Sequence, residues 1–407
     1  MISHDGAVEA ILATVKPRPI ASVPVEEALG LALARPVKAR LRMPRFDQSA
    51  MDGIAVRIDD LAGASPEAPA RLELAGEIPA GSHERVRLRR GTAVKVFTGA
   101  AIPAGTEAVV MVEFCRFEGD QVFVERTAKP DENIRRAGEE VARGDTLLEA
   151  GTPITPPVIG LLSHFGFTKV PVRTRPSLGV ITMGDEVAAP GAKLGPHQVH
   201  DANGPALRAA LTAMGFDDVR SWHVDDRPRS LVKVLEKALG RCDVVITVGG
   251  ASVGDHDHVK GARAELGVRE VFSKVAIKPG KPNVFGIAGR VPVFSLPGNP
   301  VSALVSFHLY VRPALRRLLG LPVARDGETT VATLRSALKK KPGRTEWVRV
   351  HASHDGDGPQ AERLAAQGSH MLTGLARSNA LLRFENDLER ADAGDRLALR
   401  WLDWGVG

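Results

Sequence analysis

Apolar residues fall at helical spacing over residues 8–15, and a proline-rich break then leads to 23–30, where a second short helix is expected. From Met43 to about Glu140 the texture changes. Short runs of Val, Leu and Phe, such as 92–97 and 108–112, are separated by Gly, Pro and Asp, which predicts a β-rich segment. Helical patterning returns at 156–165, where Thr155 can cap the first turn and Pro156 can occupy it. The first module is therefore expected to be discontinuous, interrupted by the β-rich insert.

Beyond residue 175 three apolar runs stand out, at 178–182, 243–248 and 291–296, alternating with helical segments at 204–214, 228–239 and 302–319. That alternation predicts a parallel, doubly wound sheet with helices on both faces. In such sheets ligands sit beyond the carboxyl ends of the strands, so the residues just after the apolar runs come first as candidates for chemistry. After Arg325 the pattern returns to short strand-like pieces, including 346–351 and 396–401, with Gly and Asp turns. The expected fold class is multidomain α/β plus β. Its parts are a discontinuous linker domain at 1–43 and 141–174, a β-rich inserted domain at 44–140, a central doubly wound α/β domain at 175–323, and a small barrel-like β domain at 324–407. The Lys339–Arg344 basic run is expected to be a solvated turn.

Composition narrows the function. A chain of 407 residues with 43% hydrophobic and 25% charged residues is ordinary globular material and long enough for several cores. Aromatics are only 4%, with a single Tyr, which disfavours base stacking on single-stranded nucleic acid. The net charge of +6 suits an anionic ligand equally well. Cys115 and Cys242 stand far apart without metal-type spacing, so neither a disulfide framework nor a cysteine zinc site is expected. No stretch approaches the roughly 20 apolar residues that cross a bilayer, and the start lacks a signal-type apolar region. A cytoplasmic protein without membrane or nucleic-acid partners is expected.

The candidate chemistry lies where the three runs end. The first ends in Thr182-Met-Gly-Asp-Glu186, two adjacent carboxylates that alone are as readily a helix cap as a site. The second ends in Thr247-Val-Gly-Gly-Ala-Ser-Val-Gly-Asp-His-Asp257, where Gly249 and Gly250 let the backbone approach a phosphate and Ser252 can donate to it. Asp255 and Asp257 add carboxylates suited to a hard divalent cation, with magnesium the natural choice. His256 and His258 are given no metal role. Next comes Lys274-Val-Ala-Ile-Lys278-Pro-Gly-Lys281-Pro282, in which an alternating strand puts Lys274 and Lys278 on one side and the Pro-Gly turn brings Lys281 alongside. The third run enters Leu296-Pro-Gly-Asn-Pro-Val-Ser302, whose turn aims amides and a helix start at an anion, with Pro297, Gly298, Asn299, Pro300 and Ser302 as candidates. One phosphate-compatible site built from all three strand ends is the expectation.

Over nearly its full length the chain resembles the molybdopterin molybdenumtransferases, a family that includes the C-terminal domain of gephyrin. The resemblance rests on these segments together with Pro44-Arg-Phe-Asp-Gln-Ser-Ala-Met-Asp-Gly53, Phe97-Thr-Gly-Ala100 and Asn133-Ile-Arg-Arg-Ala-Gly-Glu139. It implies an elongated homodimer whose α/β domain holds the pterin and nucleotide while Asp52 and Thr98 approach from the partner. It further implies functional positions at Glu186, Asp225, Asp257, Lys274 and Lys278, with substrate or molybdate near Ser252, Lys278, Lys281 and Pro282. Arg344, Arg349 and Ser369, in family-like segments of the last domain, are further candidates for anion contacts. Ile54, Met183 and Ala251 depart from the family pattern; Met183 replaces a Thr whose hydroxyl can bond within the turn.

The implied reaction inserts molybdate into adenylylated molybdopterin and releases AMP, with Mg2+ held by Glu186 and Asp257 and with a molybdopterin adenylyltransferase as upstream partner. Three alternatives compete: a molybdopterin adenylyltransferase, whose α/β domain is related but which lacks the flanking regions; a clustering scaffold in the manner of gephyrin, which needs a fused domain or long linker; and a generic nucleic-acid binder, which predicts salt-dependent retention on DNA.

Overall fold

The computed structural model describes residues 1–82, 84, 86–250, 258–323, 330–356 and 358–404. The chain falls into two compact units, one made of Met1–Arg35, Ala150–Leu162 and the chain from Phe167 onward, the other of Pro36–Glu149 and Ser163–Gly166. The first unit opens with α1 (His4–Thr14), capped by Ser3, whose Oγ accepts from the Gly6 amide at 3.1 Å, and it buries Ala7, Val8 and Ile11. β1 (Ile20–Pro24) follows.

The second unit is a six-stranded sheet of β2 (Gly53–Val56), β3 (Ala70–Ile78), β4 (Thr92–Val96), β5 (Ala108–Met111), β6 (Cys115–Glu118) and β7 (Gln121–Val124). Their order is β5-β2-β4-β3-β7-β6, antiparallel except between β3 and β4. Alternation puts Ile54 and Val56 in one buried cluster and Ala55 in another, so both faces of the sheet centre are covered.

The chain continues through α2 (Pro156–His164) to β8 (Lys169–Arg173), which pairs antiparallel with β1 in the first unit. The α/β domain then contains β9 (Leu178–Met183), β10 (Val187–Ala188), β11 (Val199–His200), α3 (Asn203–Ala213), β12 (Val219–Val224), α4 (Pro228–Leu239), β13 (Val244–Val248) and α5 (His258–Glu265). It is completed by β14 (Arg269–Phe272), β15 (Ile277–Lys278), β16 (Val284–Ala288), β17 (Val291–Leu296), α6 (Pro300–Ser306) and α7 (Arg312–Leu319), the last two joined by a π-helical turn at Phe307–Val311. The sheet order is β12-β9-β13-β17-β16-β14. The expected parallel core is present as β12, β9, β13 and β17, and β16 and β14 extend it antiparallel. Every residue of β9 and β13 is buried, as suits strands covered on both faces.

The last part of the first unit is β18 (Thr330–Leu334), β19 (Thr345–Asp355), β20 (Gly358–Arg363), α8 (Leu372–Ala376), β21 (Ala380–Phe384) and β22 (Arg396–Trp401). The ladder β19-β20-β18-β22-β21 closes through a β21–β19 pairing into a barrel around Val348, Val350, Leu382, Phe384 and Leu399. β15 of the α/β domain adds to β19 in parallel, joining the two domains through backbone. The Lys339–Arg344 run is not wholly solvated: the Lys340 ammonium lies 5.1 Å from the Phe384 ring centre and burial lowers its pKa. Among the described residues no helix is long and apolar enough to cross a membrane.

Candidate active site at the strand ends

The register of the parallel strands sets Thr182 beside Val248 and Val248 beside Leu296, so β9, β13 and β17 end level with one another. Beyond them lies a cleft of about 460 Å³. Thr182, Met183 and Glu186 line it from the first turn, Gly249 and Gly250 from the second, and Gly298, Asn299 and Pro300 from the third. The β10–β11 arm and the start of α3 form a further wall through Val187, Val199, His200, Asp201 and Asn203.

Glycine is required in the second turn. Gly249 and Gly250 have φ of +96° and +63°, and a Cβ on Gly250 would stand 2.5 Å from both Met183 Sδ and Val259 Cγ2. Gly298 in turn lies close enough that its Cβ would contact Gly249 Cα at 3.4 Å, so the two turns touch. Met183 is 5% exposed and packs beneath this turn. A Gly250→Ala substitution is expected to cost about 1–3 kcal/mol of native stability and to weaken ligand binding, because both the left-handed backbone and the sulfur contact are violated. Thermal melts and ligand titration check this; a variant unchanged in both would remove the turn from the site.

Asp201 organises the wall beside Thr182. Its Oδ1 accepts from the amides of Asn203 and Gly204, both at 2.9 Å, capping α3, while Oδ2 accepts from Thr182 Oγ1 at 3.0 Å. His223 Nδ1 lies 3.1 Å from the same hydroxyl. Since that single hydroxyl proton goes to the carboxylate, the histidine nitrogen is assigned as the donor to Thr182 Oγ1. Asn203 Nδ2 donates to the Gly298 carbonyl at 2.8 Å and so fastens α3 to the third turn. These four residues are absent from the sequence-based candidates. The Asp201-Ala-Asn203 step ahead of an apolar-periodic segment is an N-cap signal that marks this corner.

Of the expected residues, Glu186, Gly249, Gly250, Gly298, Asn299 and Pro300 come together in the cleft. Ser252 and Asp257 lie outside the described residues. Pro297 and Ser302 are buried beside the cleft and do not line it. Asp225, at the end of β12, also stands off the wall; hydrogen bonds from Arg227, and then from Ser230, pull its carboxyl down to about 2. Lys274, Lys278 and Lys281 are exposed in a segment fastened by backbone: the Ile2 amide donates to Lys274 O, and the Val275 and Asn283 amides to Lys281 O. Only Ile277–Lys278 of this segment is strand, so Lys274 and Lys278 do not share one extended strand face. Lys278 Nζ donates to Glu346 Oε1 at 3.1 Å across the β15–β19 ladder, while Pro282 is half-buried and Arg344 exposed nearby in sequence to that ladder.

Arg349 has no exposed surface. Its Nε and Nη2 donate to the Ala366 carbonyl and Nη2 also to that of Gly368, so it shapes the loop that carries Ser369 instead of facing solvent. Ser369 Oγ accepts from Asn299 Nδ2 at 3.3 Å, linking that loop to the third turn. In the second unit, Asp52 Oδ1 accepts from the Thr98 amide at 2.7 Å and hydroxyl at 2.8 Å, bonds that hold its carboxyl below the usual range. As to a metal, no group of three His, Cys, Asp or Glu suited to an ion occurs among the described residues. Glu186 nevertheless supplies a hard oxygen donor to this cleft, with no ion pair among the described residues, which fits one ligand of a Mg2+ ion.

A three-turn strand-end cleft in a doubly wound domain, preceded in the chain by a β-rich insert and followed by a barrel, is that of a molybdopterin-binding type of protein. Residues 179–317 match the family described as a probable molybdopterin binding domain, 2–166 the MoeA N-terminal region (domain I and II), and 331–399 the MoeA C-terminal region (domain IV). Molybdopterin molybdenumtransferase 2 of Mycobacterium tuberculosis is 38% identical over 388 residues, covering 93% of this chain and 94% of its own. The molybdopterin molybdenumtransferase of Nostoc is 37% identical over 87% of this chain and 82% of its own. The crystal structure of the molybdopterin biosynthesis MoeA protein of Pyrococcus horikoshii superposes with a TM-score of 0.81 at 29% identity, covering 100% of both chains. The chain belongs to the molybdopterin molybdenumtransferase family, and so among the transferases of molybdenum-cofactor biosynthesis.

Proposed function

We propose that this protein inserts molybdate into adenylylated molybdopterin, releasing AMP, as a cytoplasmic homodimer that receives its substrate from a molybdopterin adenylyltransferase. The observation that carries the proposal is the meeting of the glycine turn, the Gly298–Pro300 turn and the Glu186 carboxylate in one open cleft of phosphate-binding character. Backbone amides of those turns hold the nucleotide phosphates, and Asn203 with Asp201 keeps their spacing fixed. Lys274, Lys278 and Lys281 neutralise charge on the molybdate and on the cleaving pyrophosphate. Dithiolene sulfurs replace molybdate oxygens, which leave as water after protonation, and water adds across the phosphoanhydride to free AMP.

Mg2+, held by Glu186 and by Asp257 outside the described residues, supplies Lewis-acid polarisation of the phosphate when bound. Asp225 orients water or substrate at the rim. Asp52 and Thr98 of one copy serve the cleft of the other.

Purified protein given adenylylated molybdopterin is expected to release AMP only when molybdate is added. AMP release indifferent to molybdate, or none, overturns the assignment. Adenylylation of molybdopterin by this chain from ATP without a partner enzyme would instead establish the adenylyltransferase reading.

A further inference from the structure

Lys278 and Lys281 are exposed while Pro279 and Gly280 between them are buried, so the turn that spaces the two ammonium groups is pressed into the domain at its middle. The surface it meets belongs to α6. Gly280 has φ of +103°, and a Cβ there would stand 2.8 Å from Ser306 Oγ and 3.1 Å from Asn283 Nδ2. Ser306 is the last residue of α6 and has no exposed surface, whereas Pro300, at the start of the same helix, lines the cleft. At about 1.5 Å per residue, the lysine turn is therefore seated roughly 9 Å along the helix from the third turn of the cleft.

A single buried amide makes the join. Asn283 is 2% exposed, and its Nδ2 donates both to the Gly280 carbonyl and to Ser306 Oγ, the latter at 2.8 Å. A carbonyl oxygen only accepts, so the atom facing Gly280 is assigned as Nδ2 and not as Oδ1. Both N–H groups of the side chain are thus engaged in fixing turn to helix. Oδ1 is left buried without a hydrogen-bond partner among the described residues. The backbone already closes this loop by itself, since the Val275 and Asn283 amides both donate to Lys281 O at 3.0 Å. An apolar side chain would fill the space with no orphaned acceptor, so the amide opposes folding in part and is explained by the placement it enforces.

We infer that Asn283 and Ser306 are positioning residues for the oxyanion lysines. By tying the Pro279–Gly280 turn to α6, they fix where the Lys278 and Lys281 ammonium groups stand relative to the third turn at the start of the same helix. The inference rests on the role given to those lysines in the proposed reaction. Neither Asn283 nor Ser306 touches substrate. The metal oxyanion and the nucleotide phosphates of one reacting complex have to be held at a set separation, and at such a site a displacement of about 1 Å is enough to lower turnover heavily.

The test is steady-state kinetics of molybdate-dependent AMP release by the full chain, with each substrate varied in turn. Asn283→Ala is expected to lower kcat/KM for molybdate about tenfold, the loss of one buried hydrogen-bonded link, while KM for adenylylated molybdopterin stays within about twofold. Ser306→Ala is expected to fall in the same direction, and the double variant to be no worse than Asn283→Ala alone, because the two side chains act through one contact. In a Lys278→Gln background the effect of Asn283→Ala is expected to shrink to about twofold, which a general loosening of the fold would not produce. Should Asn283→Ala fail to fold, Ser306→Ala, which removes only a hydroxyl, carries the same comparisons. Native activity in the variants, an equal loss with and without Lys278, or a rise in KM for both substrates alike overturns the inference. Native activity of the Lys278→Gln chain with Asn283 intact instead overturns the lysine reading, and the inference with it, so the two failures are told apart.

Discussion

Lys278→Ala is expected to lower kcat/KM for molybdate-dependent AMP release by about 10²–10³, the loss typical when one preorganised donor to a developing oxyanion is removed. The backbone that carries this lysine is firmly held. β15 is only two residues long, but it is held by the β19 ladder, by the Thr345 amide on Ala276 O, and by Asn283, whose Nδ2 donates to Gly280 O and Ser306 Oγ. The ammonium is half-exposed and leans on Glu346, whose side chain is 16% exposed. An ion pair so open to water contributes only about 0–1 kcal/mol to folding. Stability should therefore barely change in Lys278→Ala while turnover collapses, a split that separates chemistry from folding. Glu346→Gln is the companion measurement: it leaves the ammonium in place without its acceptor and is expected to shift KM for molybdate more than kcat. Wild-type AMP release from a folded Lys278→Ala protein would exclude this lysine from the oxyanion site.

The parts of the molecule legible in sequence are those whose physics is local. β9 and β13 announce themselves because each is an unbroken apolar run buried on both faces, and the turns after them because Gly249 and Gly250 adopt backbone open chiefly to glycine. β12 is not legible, since an edge strand carrying Arg220, Ser221 and His223 lacks an apolar signature. β16 is interrupted by Gly286, which is needed because the β14 backbone passes so close that a Cβ would meet Arg269 O at 2.9 Å. The Asp201 cluster escapes for another reason. Thr182, Asp201 and His223 come from separate segments 19 and 41 residues apart, and only the parallel register of β9 and β12 brings them together. Asp225 and Arg349 show the converse limit: motif matching marks them as charged and well placed, but partners fix what they do, Arg227 for one and the Ala366 and Gly368 carbonyls for the other.

Mild acid is expected to destabilise the first unit, and two buried histidines set the window. His4 lies under the barrel rim with Nδ1 3.1 Å from Tyr310 Oη and its ring edge-on to Trp347, whose centroid is 5.0 Å away. Burial, then Arg383, lowers its pKa from 6.5 to about 3, against an opposing pull from Asp5. His308 is lowered to about 3 by burial, then by Arg400 and Arg312, with Asp403 opposing. In the unfolded chain both take up a proton near 6.5, whereas the folded protein refuses it until about pH 3. The unfolded state thus binds more protons throughout that interval, so stability is complete above about pH 6.5 and falls steadily as pH drops toward 3. At pH 4.5 each histidine should contribute a loss of about 2–3 kcal/mol, and the pair together a large share of the roughly 5–15 kcal/mol that holds a typical domain. Carboxylates such as Asp5 and Asp243 act lower down, because their folded pKa values lie below the ordinary 3.8. Chemical denaturation at pH 7.5 and pH 4.5 should therefore show a marked fall in midpoint for the native chain and a much smaller one for the His4→Gln, His308→Gln double variant. Equal falls in both would mean that these rings accept protons in the folded state and that acid lability originates elsewhere.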